Sequence, residues 1–328
     1  MNQFCFLMCS ERSGSNFITK LMNGHSRICG PSTKHLFNPV ARNLFRYEPL
    51  NNKSNWNELL KDIYRLLSID FSVWKISFSI EELEKLAPVG DIETLLRNIF
   101  LKEAEANGKD FVFVKENQVY EFMNFLIMNF PDAKYVYEVR DPRDMALSWK
   151  KNPAHHGGVV KAAKRWKYDQ QNYLKWHYEL KKNNQSYLIR YENLIESPEM
   201  YLKEISTFLG FDYEPKMLEF YKDSLTRENA SKQPAWENLS KSILNNNKNK
   251  YIKELSEIEI RLIEAICWHE MAYFGYELEN MVEVLEDISD DVINDYSKKE
   301  IENIKWLIPE HIQRNMRAKK VFYTKKID

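Results

Sequence analysis

Apolar positions fall into a few short continuous runs, separated by longer stretches of helical spacing. Phe4 to Cys9 is one such run. It gives way to the polar, small-residue stretch Ser10 to Ser15, after which Phe17, Ile18, Leu21 and Met22 resume at helical intervals. A continuous run is what a central parallel strand covered on both faces requires, so this segment predicts strand, loop and helix. Phe111 to Val114 and Lys134 to Val139 predict two more strands, joined by a helix over Val119 to Asn129 and a turn at Phe130-Pro-Asp-Ala133. Such a βαβ unit has parallel strands and a right-handed crossover. Ser186 to Arg190 predicts a fourth strand, preceded by a polar helix from about Val159 to Lys182.

Strands alternating with helices place the chain in the α/β class, with a central, mostly parallel sheet flanked by helices. Ligands of such sheets bind beyond the carboxyl ends of the strands. Ser10 to Asn16, Lys115 to Asn117, Arg140 to Arg143 and Tyr191 to Asn193 all fall there, so four loops are expected to converge on one edge. The polar, irregular stretch 216–250 predicts a long surface loop or lid, and Leu255 to Met271 a helix closed by Gly275. After Glu277 the composition turns acidic and then basic, which predicts a main domain over 1–280 and a helical C-terminal extension over 281–328, outside the core.

Charge and composition narrow the partners. With 47 basic and 48 acidic residues the formal charge is −1, so no global field favours nucleic acid or an acidic membrane, and any basic site must be local. Four cysteines without CxxC spacing predict neither a disulfide framework nor a zinc site, and point to a reducing compartment. No apolar stretch approaches the 18 residues of a membrane span. Phe4 to Met8 carries no basic leader or cleavage site, so a soluble, cytoplasmic protein is expected.

Two segments carry chemistry. In Ser10-Glu-Arg-Ser-Gly-Ser-Asn16, a loop between strand and helix exposes backbone N–H groups beside the positive end of a helix, which favours a phosphate. Arg12 can add a bidentate fork, and Ser15 and Asn16 can donate hydrogen bonds. An ordinary N-capped helix start reads from the same residues. In Arg140-Asp-Pro-Arg-Asp-Met-Ala-Leu-Ser148, Arg140 ends a strand and Ser148 lies about two helical turns further along the chain, so both could grip one anion. Surface ion pairing of Arg140 and Arg143 with Asp141 and Asp144 is the alternative.

Together these segments resemble the sulfotransferases that use 3′-phosphoadenosine-5′-phosphosulfate, which have a P-loop nucleotide-binding type of fold. Arg12-Ser-Gly-Ser-Asn-Phe17 is similar to the family's 5′-phosphosulfate loop, and Arg140 with Ser148 to its 3′-phosphate motif. Arg190-Tyr-Glu-Asn-Leu194 with Pro198 and Phe208-Leu-Gly210, and then Met271 to Tyr276, resemble two later family segments, so the likeness spans about 1–278. The resemblance implies that Arg12, Ser13, Gly14, Ser15 and Asn16 hold the 5′-phosphate, with Phe17 near the adenine. It assigns the 3′-phosphate to Arg140 and Ser148, and an adenine contact to Tyr191. Asn16 stands where the family usually has Thr. The last basic residue of the 3′-phosphate site has no clean match; Lys232 and Lys241 are the candidates, with Lys241 preferred.

The same resemblance implies transfer of a sulfuryl group to an acceptor with a free hydroxyl, less often an amine, with carbohydrates and glycolipids among the candidates. No metal is expected. His35 is the first candidate for the base, since a histidine titrates near neutrality, and Glu116 the second. Lys115 matches a family lysine that steadies the transferring group, while Asn117 stands where cytosolic relatives have histidine. His155-His156 beside Gly157-Gly158 predicts a mobile acceptor-side loop, and Trp74, Trp149, Trp166 and Trp176 read as packing residues. A P-loop kinase or NTPase is the nearest alternative, although no lysine stands in Ser10 to Asn16. A non-catalytic nucleotide-binding module that acts on a partner is the other.

Overall fold

A computed structural model of the chain describes residues 3–152, 155–232, 234–244, 246–303 and 308–324. Five strands, β1 (Phe4–Cys9), β2 (Ile28–Cys29), β3 (Phe111–Lys115), β4 (Lys134–Val139) and β5 (Ser186–Arg190), form one sheet in the order β2-β3-β1-β4-β5. Every pairing is parallel. The four strands expected from the sequence are present, and the sheet is wholly rather than mostly parallel. β2 went unpredicted because two residues are too short to leave a pattern.

β1 is buried along its whole length, and its alternation divides the core into two layers. Phe4, Phe6 and Met8 face one side with Phe37, Trp56 and Phe130; Cys5, Leu7 and Cys9 face the other with Ile18, Leu21 and Phe220. All four cysteines are buried and free. The chain leaves β1 for β2 and β3 on one side, and later returns for β4 and β5 on the other. The carboxyl end of β1 is therefore a topological switch point, where the crevice for a ligand opens. Leu7 pairs with Lys115, Cys9 with Glu138 and Val139 with Arg190, which brings the predicted loops to that one edge.

Two expectations change. Most of the stretch 216–250 is built of short helices, Pro215–Lys222, Ser224–Lys232 and Pro234–Ser240, and the described residues after Ser240 are the irregular part. Asp144 anchors its far end by accepting from the amides of Asn249 at 2.6 Å and Tyr251 at 3.0 Å. The C-terminal extension does not lie outside the core. Within Asp290–Asn303, Glu300 accepts from the first amides of helix Gly158–Lys181, Val159 and Val160. From helix Glu310–Thr324, Phe322 is fully buried beside Tyr47. The tryptophans pack as expected: Trp74, Trp149 and Trp166 are buried and Trp176 is partly so. Among the described residues, no helix is long and apolar enough to cross a membrane.

Candidate active site

The loop after β1 is held from below and is bent at two residues. Gln170, buried on helix Gly158–Lys181, donates to Ser10 Oγ at 2.9 Å. Gly14 caps helix Ser15–Asn23 with φ +105°, and its carbonyl accepts from the Phe17 amide at 2.7 Å. No room exists for a side chain at Gly14, since a Cβ there would lie 2.4 Å from the Tyr191 ring. Arg12 also has positive φ, 66°, an uncommon conformation for a residue with a Cβ.

Arg12, Arg140, Ser148 and Tyr191 meet. Arg12 Nε donates to Ser148 Oγ at 3.0 Å, and Arg140 Nη1 donates to the Arg12 carbonyl at 3.2 Å. Arg140 lies over the Tyr191 ring at 4.5 Å, and its Nη2 donates to the Asn247 carbonyl at 3.1 Å. The Asn247 amide in turn donates to the Tyr191 hydroxyl at 2.7 Å. These groups open onto a cavity of about 460 Å³, which Gly14, Ser15, Asn16, Phe17 and Trp236 also line. Burial and then the neighbouring charge of Arg140 push the Arg12 guanidinium down to about 10, well above neutrality, so two cations share one wall. Arg140 Nε is buried with no hydrogen-bond partner. A buried donor left unpaired is costly, and an anion in the cavity would satisfy it. The residues present therefore fit a nucleotide with more than one phosphate, and the edge-to-face pair of Phe17 and Tyr191, 6.2 Å apart, supplies an apolar surface for a base.

Ser13 and Lys241 stand elsewhere. Ser13 turns inward and donates to Glu138 Oε2 at 3.1 Å; burial pushes the Glu138 carboxyl up to about 8, and the Ser13 bond opposes that rise. Lys241 pairs with Glu237 one helical turn back, and Lys232 with Asp70; neither lines the cavity. Its basic residues besides the two arginines are Lys151 and Lys250. Lys250 ends the run Asn245-Asn-Asn-Lys-Asn-Lys250, whose repetitive composition offers no local pattern to single it out.

A second cavity, of about 820 Å³, adjoins the same loop: Glu11 lines it, whereas the next residue, Arg12, lines the first. His35 and Glu116 lie together in its wall. Glu116 Oε1 accepts from the amides of Leu36 at 2.7 Å and Phe37 at 3.2 Å, capping helix Phe37–Asn43, while Oε2 stands 3.7 Å from His35 Nδ1. His35, like Arg12, has positive φ, 56°. Burial, aided by the charge of Lys319 and opposed by Glu116, drives the imidazole down to about 4. It is therefore neutral, with a free lone pair, throughout the ordinary working range. Lys115 Nζ donates to Asn117 Oδ1 at 2.8 Å, and Asn117 donates to Glu11 at 2.7 Å. His155, expected on a mobile loop, hydrogen-bonds Glu11 at 3.0 Å and packs on Trp149. Burial alone would raise the Glu11 carboxyl, but the bond and charge of His155, with Lys115 and Gln118, hold it well below the usual range.

Comparison with known proteins bears on the family and the fold. The sulfotransferase family matches the chain over residues 5–215. No curated protein matches it. Among solved structures, the sulfotransferase domain of the Synechococcus PCC 7002 olefin synthase is similar with a TM-score of 0.56 at 20% identity, covering 84% of this chain and 96% of that one. The sulfotransferase domain from the curacin biosynthetic pathway gives 0.54 at 19% identity, covering 85% of this chain and 99% of that one. At such identities the likeness is one of fold.

Proposed function

We propose that this chain, which belongs to the sulfotransferase family, moves a sulfuryl group from 3′-phosphoadenosine-5′-phosphosulfate to the hydroxyl of an acceptor. The observation that supports this most is the meeting of Arg12, Arg140 and Ser148 in one cavity, back to back across Glu11 and Arg12 with a second cavity holding His35. The first cavity takes the donor, its two phosphate ends falling to the helix-start amides with Arg12 and to Arg140 with Ser148. The second takes the acceptor. A phosphate loop without lysine, as here, has little to offer a kinase or NTPase.

In the transfer, the acceptor oxygen forms a bond to sulfur as the bond from sulfur to the phosphate oxygen breaks, and the acceptor proton goes to His35. Glu116 acts through His35: with one oxygen committed to two amides, its other oxygen faces Nδ1 and holds the ring for proton acceptance. Arg12 offsets charge growing on the leaving phosphate oxygen, and the loop amides do so without having to reorganise. Lys115, 8% exposed, donates to Asn117, which lines the second cavity.

The base assignment has a pH signature. A histidine at about 4 stays neutral as pH falls through its usual value of 6.5 and protonates only near 4. Transfer of labelled sulfuryl is therefore expected to hold level from about pH 8 to 5 and to decline below, and His35→Ala is expected to lower kcat by about 10²- to 10⁴-fold. An acid limb near 6.5, or full activity in the alanine variant, would remove His35 as the base. Because the folded value is depressed, the stability that His35 contributes is complete above 6.5 and lost as pH falls towards 4.

A further inference from the structure

The outer wall of the acceptor-side cavity is the C-terminal helix Glu310–Thr324, which contributes Gln313, Met316, Arg317, Lys319, Lys320 and Tyr323. We propose that this wall selects an acceptor bearing a negatively charged group beside an apolar segment, and that Lys319 and Lys320 bind the charge. The inference rests on the sulfuryl-transfer reading above and adds the class of acceptor to it.

Three observations lead there. First, the acidic groups of the cavity are already engaged: Glu11 by His155 and Asn117, Glu116 by two backbone amides, and Glu121 by Arg42 at 2.6 Å. Glu116 Oε2 keeps no hydrogen-bond partner, but it is buried 3.7 Å from His35 Nδ1, inside the wall rather than open to an acceptor. Second, the guanidinium groups are engaged as well, Arg42 with Glu121, Arg165 with Asp169 at 2.9 Å and Arg317 with Glu310. Lys319 and Lys320, in contrast, line the cavity, and their ammonium groups make no hydrogen bond or ion pair among the described residues. Lys319 is partly buried, and that burial holds its ammonium below the usual range, while Glu11 and Glu116 oppose the shift from a distance. A desolvated cation without a hydrogen-bonded counter-charge is unfavourable, and an anionic ligand group would complete it. Third, Pro39, Ile308, Met316 and the ring of Tyr323 give the same cavity an apolar side. A neutral sugar would leave the Lys319 ammonium unmatched and that side uncovered.

The transferring sulfuryl group is itself an anion, so the test must separate it from a charge on the acceptor. The adenosine 3′,5′-bisphosphate product carries no sulfuryl group. Calorimetric titration of the full chain with decanoate and with 1-decanol, with and without that product bound, isolates the acceptor's charge. Decanoate is expected to bind at least about tenfold more tightly, one charge-assisted contact being worth that much. In K319Q/K320Q the preference is expected to fall to about one, with affinity for the bisphosphate and the melting temperature unchanged. Equal binding of the two probes, binding of neither, or a preference that survives in the double variant would overturn the proposal. Failure of the bisphosphate to bind the wild type would instead count against the donor reading, while the decanoate comparison still decides the acceptor class.

Discussion

Replacing Arg12 by alanine is expected to lower kcat by about 10²- to 10³-fold while the fold and most donor affinity persist, the size of loss seen when one preorganised stabiliser of developing charge is removed. Arg12 lines the donor-side cavity, and its direction there is held by the bond from Nε to Ser148. Its Nε is spent on Ser148, which leaves the terminal nitrogens for an anion. Arg12→Lys keeps a charge but loses the fork, and is expected to fall between wild type and alanine. Circular dichroism and bisphosphate titration separate lost chemistry from lost structure. Activity within tenfold of wild type in Arg12→Ala would take this residue out of the transfer step.

Gly14→Val is expected to have the second large effect, on donor binding. The Cβ would stand 2.4 and 2.5 Å from two carbons of the Tyr191 ring, and φ +105° is strained for any side chain. Tyr191 cannot swing aside cheaply, because its hydroxyl accepts from Asn247 and its face carries Arg140. Moving the ring therefore displaces the arginine assigned to the 3′-phosphate. With strain of about 1–3 kcal/mol plus that displacement, affinity for the bisphosphate is expected to fall at least tenfold, read by calorimetry. Unchanged affinity in Gly14→Val would mean that the loop and Tyr191 do not bind donor as a unit.

The strands, the loop after β1 and the pair Arg140 and Ser148 were legible because each leaves a local mark: a continuous apolar run, a cluster of small polar residues, an arginine at a strand end. His35 and Glu116 were both legible as candidates, but not as neighbours, because they are joined only through the folding of β3 against the segment before helix Phe37–Asn43. Ser13 was read as a donor ligand, and the structure turns it to Glu138, a contact between the loop after β1 and the end of β4 that no spacing reveals. Lys241 lost its assumed place to a helical partner, Glu237. The C-terminal helix was misplaced for a similar reason: its polar composition describes the surface it presents, whereas a few scattered residues dock it, Phe322 beside Tyr47, Ala318 on the core and Tyr323 on Asn38.

The proposed donor cavity grips a nucleotide at two phosphates, Arg140 serving the 3′ end. It is tested most directly by thermal unfolding of the wild type and of Arg140→Ala with adenosine 3′,5′-bisphosphate, AMP or ATP, each at the same concentration. At about 100 times its Kd the bisphosphate is expected to add about 2.7 kcal/mol, on the order of 5 °C, to the wild type. AMP and ATP should give much smaller shifts, and Arg140→Ala should bring the bisphosphate shift down to that of AMP. Equal shifts for the bisphosphate and AMP in the wild type, or a bisphosphate shift unchanged in Arg140→Ala, would contradict the account.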